Sequence, residues 1–125
     1  MALPIEDYAL IGDTHTAALV GRDGSMDWFC APRFDSPALF AALLGDPRHG
    51  RWLIAPSVEV RATERSYRRD TLVLDTCITT ATGKVRLVDY MPIHDDDTDI
   101  VRIVEGLEGE VPMHMELVVR FDYGS

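Results

Sequence analysis

The densest set of chemically capable residues is His94-Asp95-Asp96-Asp97-Thr98-Asp99, four carboxylates and an imidazole within six positions. Oxygen ligands in such number suit a hard cation. An EF-hand loop starting at Asp95 would need glycine at position 100 and glutamate at 106, where the chain has Ile100 and Gly106. That template fails, and the run reads as a solvated acidic loop between two strands. The histidines at 15, 49, 94 and 114 lack the spacing of a zinc site, so no metal is implied.

An inverting glycosidase needs two carboxyl groups facing each other across roughly 6.5–9.5 Å on a scaffold that encloses the sugar. The acidic residues here are scattered over turns and strand faces, and spacing singles out no pair. It leaves open a spatial pair such as Asp13 with Asp35. Solvated carboxylates on a small sheet protein are nevertheless poorly placed to have one pKa raised and another kept low. Nucleophilic schemes fare no better. There is no Gly-x-Ser-x-Gly elbow, and Cys30 lies in an apolar run with no evident base beside it. The glycines follow neither Walker nor dinucleotide-binding spacing, and no cofactor is implied.

What remains is the stretch from Asp27 to Pro37, DWFCAPRFDSP. Trp28, Arg33, Phe34 and Asp35 are its candidate site residues. Aromatic faces stack on the apolar faces of pyranoses, while arginine and aspartate bond to hydroxyls in pairs. The alternative is structural, with Trp28 and Phe34 in the core and with Arg33 and Asp35 paired to each other or capping a helix.

The elements that must position these residues are mostly strands. Thr16–Val20, the turn Gly21-Arg22-Asp23-Gly24 and Ser25–Cys30 read as a hairpin whose Asp-Gly pair tolerates positive φ. Leu72–Thr80 with Lys84–Met91 reads as a second hairpin. Thr98–Leu107 with Glu110–Asp122 reads as a third, turning at Glu108-Gly109. In its last strand Met113, Met115, Leu117, Val119 and Phe121 share one face, and His114, Glu116, Arg120 and Asp122 share the other. Such alternation means a sheet buried on one side and wet on the other.

One helix is expected near residues 37–44, with Ser36 as N-cap, Pro37 at the first helical position and Gly45 to end it. The fold class is therefore all-β, an antiparallel β-sandwich with one short helix. The 125 residues suit a single domain, and 46% hydrophobic composition is enough for a core.

A net charge of −9 repels phosphate backbones and anionic lipid, so neither nucleic acid nor membrane is an expected partner. No apolar run approaches the roughly 18 residues of a membrane span. The start MALPIEDYALIG lacks a basic region followed by an apolar one, so the expected location is the cytoplasm. In that compartment Cys30 and Cys77 are expected to be separate, reduced, core-filling thiols. Only ten residues are aromatic, most of them inside strand-like runs, which argues against a carbohydrate-binding module presenting an exposed aromatic row.

The segment IEDYALIGDTHTAALVGRDGSMDWFCAPRFDSPALFAALLG resembles the start of bacterial glycoside hydrolase family 15 proteins, of the trehalase-like and glucoamylase-like branch. GRWLIAP, SYRRDTLVLDT, GKVRLVDYMP and VRIVEGLEGEVPMHMELVVRFDYG follow in the same order, so the resemblance runs from Ile5 to Gly124. It implies an N-terminal β-sandwich packed on a C-terminal (α/α)6 barrel that carries two catalytic glutamates, acid and base. That barrel is absent from these 125 residues, so the chain alone is expected to be inactive. Trehalose or another α-glucoside would be met only in the full-length enzyme. Pro32 to Ser36 is the part expected to face the barrel or rim its pocket. A second expected partner is another copy of the chain, joined through an open sheet edge or face beside the final strand.

Overall fold

The computed structural model describes residues 5–13, 16–30, 38–40, 50–69, 71–92 and 99–118. Among these described residues a 3-10 turn at Ile5–Asp7 leads into ten strands: β1 Tyr8–Gly12, β2 Ala17–Gly21, β3 Ser25–Cys30, β4 Ala38–Phe40, β5 Arg51–Pro56, β6 Val60–Tyr67, β7 Leu74–Thr80, β8 Gly83–Tyr90, β9 Val101–Gly109 and β10 Met113–Val118. One sheet runs β1-β2-β3-β5-β10 with β4 also on β3, and the other runs β6-β7-β8-β9. Every pairing is antiparallel.

The two sheets face each other as the alternation requires. Ile11, Ala18, Val20, Met26 and Phe29 from β1–β3 pack with Leu74 and Met91 from the opposite layer. Ile54 of β5 packs with Ile78, Val85 and Leu87 of β7 and β8, and Trp52 touches both clusters. Each large apolar side chain buried this way contributes about 1.5–3 kcal/mol. The β-sandwich expected from the sequence is the fold observed.

The first two expected hairpins form, as β2–β3 and β7–β8. In the β2–β3 turn Gly24 has φ of 89°, and a Cβ there would lie 2.1 Å from the Ile54 carbonyl oxygen. Only glycine meets both demands.

The third hairpin does not form. β9 pairs with β8 in one sheet, whereas β10 pairs with β5 in the other. Gly109, at φ 58°, breaks the strand direction, and Glu110 N–H donates to the Thr82 carbonyl at 3.2 Å. Pro112, with no N–H of its own, accepts from Ser57 N–H at 2.9 Å and so joins the β5 side. The link is a crossover between layers.

The helix expected near residues 37–44 also needs correction. Ala38–Phe40 are extended, pairing Cys30 with Ala38 and Phe29 with Phe40; residues 41–49 lie outside the described set. β5 covers β3 only at Ser25 and Met26, which leaves the far half of that β3 edge to be paired by β4. Backbone satisfaction outweighs the helix propensity of this segment.

Cys77 is a third correction. It is a free thiol, but it lies half-buried on the outward face of β7, between inward-facing Thr76 and Ile78, and so does not fill the core. The side chain of Cys30 is outside the described set.

Candidate functional site

The β2–β3 ladder slips one residue between Leu19 and Val20: Val20 opposes Met26, but Leu19 opposes Trp28. Asp27 is the extra residue of a β-bulge, a device that re-aims a side chain. The residue is 5% exposed, with Tyr8 Oη donating to Oδ2 and Ser25 Oγ donating to Oδ1. Asp23, in the preceding turn, accepts from Ser25 N–H at 3.0 Å. Burial pushes the Asp23 carboxyl above the usual carboxylate range; the hydrogen bond from Ser25 opposes the shift, and the charge on Asp27 adds to it. Alongside, Arg51 Nε lies 3.1 Å from Glu116 Oε1, and that hydrogen bond holds the Glu116 carboxyl below its ordinary value.

Trp28 continues an apolar row across three strands, Leu10 opposite Leu19 opposite Trp28. The neighbouring row, Ile11, Ala18 and Phe29, is buried and faces the core. Trp28 therefore lies on the outward face of its sheet, half-buried, and is not a core residue. Arg33, Phe34 and Asp35 lie outside the described residues, as does the acidic run from His94 to Thr98. Asp13, weighed with Asp35 as an acid/base pair, is fully buried and accepts from Thr16 N–H at 3.0 Å.

A second polar centre lies between the layers. Arg102 of β9 bonds Asp89 of β8 at 2.7 Å, with both side chains 0% exposed. Its Nη1 donates to the Trp52 carbonyl at 2.5 Å and its Nη2 to the Gly24 carbonyl at 2.8 Å. The guanidinium also lies 5.3 Å from the centroid of the Trp52 ring, in cation–π range. One side chain thus ties β9 to the β2–β3 turn and to β5 in the opposite sheet. Sequence reasoning missed it, although a signal was present. Val85, Leu87 and Asp89 alternate onto one face, so an inward-facing carboxylate required an inward-facing cation.

Among the described residues no three His, Cys, Asp or Glu side chains converge as a metal would require. An open groove of about 320 Å³ borders the β7–β8 turn, but its ionisable lining is Lys84 and Glu108 alone. The buried carboxylates described, Asp13, Asp27 and Asp89, each accept hydrogen bonds from the protein itself. This chemistry suits holding a turn, a bulge and two sheets in register.

Fold and site define a β-sandwich whose buried polar groups serve its architecture. The chain belongs to the family of trehalase-like N-terminal domains, whose model matches residues 1–125. It is similar to a trehalase of Mycolicibacterium smegmatis, 34% identical across 96% of this chain and 21% of that protein. Trehalase 1 of Sulfolobus acidocaldarius is 34% identical across 98% of this chain and 20% of its own length. Trehalase 2 of the same organism is 31% identical across 94% and 19%. The chain thus spans about a fifth of the length of these curated relatives. No solved structure matches it.

Proposed function

We propose that this chain is the non-catalytic N-terminal domain of an inverting α-glucoside hydrolase of trehalase or glucoamylase type. The observation that carries this reading is the contrast in coverage. The N-terminal family matches the whole chain, yet the chain spans only about a fifth of the trehalases it resembles. The buried carboxylates support it, since groups already bonded to Tyr8, Ser25, Thr16 and Arg102 are not available as a general acid or base.

In this reading a C-terminal barrel supplies the two catalytic carboxyl groups, and the sandwich braces the barrel and its pocket. Trp28 presents the outward end of an apolar row to that partner. Arg33, Phe34 and Asp35, which follow the end of β3 after Ala31 and Pro32 in the sequence, act at the same contact. Trehalose or another α-glucoside is met only in the full-length enzyme.

The test replaces Arg33 or Asp35 with alanine in the 125-residue chain and in the longer polypeptide that carries it. The melting temperature of the short chain should hardly move, while the catalytic efficiency or interdomain stability of the long one falls. A large loss of stability in the short chain would instead make the pair a structural device of the sandwich.

A further inference from the structure

Among the described residues, the sheet edges at β1, β6, β9 and β10 are protected very unequally. At β1, Tyr67 reaches over from β6; its hydroxyl accepts from Leu10 N–H at 3.0 Å and donates to the Leu10 carbonyl at 2.8 Å. β6 is laced to the same flank. Arg22 bonds the Thr63 carbonyl, and Arg65 bonds the carbonyls of Val20 and Asp7. β9 is broken by a register shift opposite Lys84 and Val85, and it carries Glu105 and Glu108 on a chain of net charge −9. Bulges and charges of this kind are how natural edges avoid pairing with other chains.

β10 has neither a bulge nor a capping side chain among the described residues, and its ionisable residues, His114 and Glu116, can carry opposite charge. Among the described residues it pairs with β5 alone, so its other edge is open. Met115 and Leu117 oppose Ile54 and Trp52 and therefore lie on the inward face of the sheet, yet they are 63% and 52% exposed. Across the same gap, Val104 of β9 is 43% exposed. Among the described residues the sandwich is closed on its β1/β6 flank and open at β9/β10.

We infer that the open edge takes a second copy of this chain, by antiparallel pairing of β10 with β10 about a two-fold axis at Met115. The proposal goes beyond the role in a larger enzyme, since it concerns the 125-residue chain itself. The reason is self-complementarity. An axis at Met115 sets Met115 against its own mate and Met113 against Leu117 on the inward face, where directly opposed residues share a side. On the outward face it sets the His114 imidazole against the Glu116 carboxylate, twice by symmetry. The apolar row is then covered by its symmetry mate, and no like charges oppose each other along the ladder.

Sedimentation velocity of the 125-residue chain, from micromolar to near-millimolar concentration, provides the test. A reversible monomer–dimer equilibrium is expected. Met115→Lys should abolish it while the variant keeps a cooperative melt. His114→Glu, at an exposed position, should weaken association about tenfold by placing carboxylates opposite each other twice. Adding Glu116→His to that variant should restore it. A parent chain that stays monomeric throughout the range would overturn the proposal, and so would a dimer indifferent to Met115→Lys. A dimer that ignores His114→Glu would overturn the register. None of these readings depends on enzymatic activity, so failure here leaves the role proposed above untouched.

Discussion

Arg102 and Asp89 form a fully buried ion pair at 2.7 Å, and through that pair the edge strand of one sheet holds the β2–β3 turn of the other. Removing one partner strands a charge in the core. Arg102→Ala should therefore cost about 3–5 kcal/mol, roughly 10–20 °C in melting temperature for a chain of this size. Replacing both with apolar residues, Arg102→Met with Asp89→Leu, should recover much of that loss. Asp89 Oδ2 and Trp52 Nε1 are buried without hydrogen-bond partners among the described residues, so the native pair is incompletely satisfied. Thermal melts of the single and double variants check this.

Tyr67 should matter chiefly to the β1 edge. Tyr67→Phe removes both hydrogen bonds to Leu10 and should cost about 1 kcal/mol, with the Leu10 amide exchanging faster than in the parent. Denaturant titration and site-resolved hydrogen exchange measure the two effects. Unchanged exchange at Leu10 would contradict the capping role.

Asp23 gives the chain a pH signature with a definite sign. Burial raises its carboxyl above the ordinary aspartate value. A raised folded-state pKa contributes stability that is full below the unfolded value and is lost as pH rises through the folded one. Asp23→Asn keeps the acceptor for Ser25 N–H and removes the charge. It should melt higher than the parent at pH 7 and level with it near pH 3. A variant less stable at pH 7 would show that the carboxylate is favoured there.

Cys77 is half-exposed and should react with a small thiol reagent in the native state, without prior reduction. Peptide mapping assigns the label. Its neighbour Arg86, whose pKa is raised first by the hydrogen bond to Cys77, lies on the same outward face. Protection of Cys77 until denaturation would contradict its placement.

Much of this architecture is legible in the residues because side-chain alternation and turn chemistry are local. Asp23-Gly24 marked the first hairpin, and the period-two burial of Leu74, Thr76, Ile78 and Thr80 follows from their spacing. Strand partnership is not local, and there the reading failed. β9 and β10 look like a hairpin until Gly109 and Pro112 send the chain to the other layer. The Ala38–Phe40 segment is helical by propensity and extended because β3 has an unpaired edge to fill. At the site, Trp28 could be singled out by type but not by face, because the bulge at Asp27 shifts the alternation by one. Asp27 and its partner Tyr8 lie 19 residues apart, and no spacing rule joins them.

In the role proposed above, this domain supports a hydrolase without performing the hydrolysis itself. Glucose release from trehalose by the purified 125-residue chain tests it most directly, measured beside the longer polypeptide and a mock preparation. No turnover above the mock is expected from the short chain, with ready turnover from the long one. Robust glucose release by the short chain, abolished by Asp27→Asn or Asp23→Asn, would place the chemistry in the β3 bulge and overturn the proposed role.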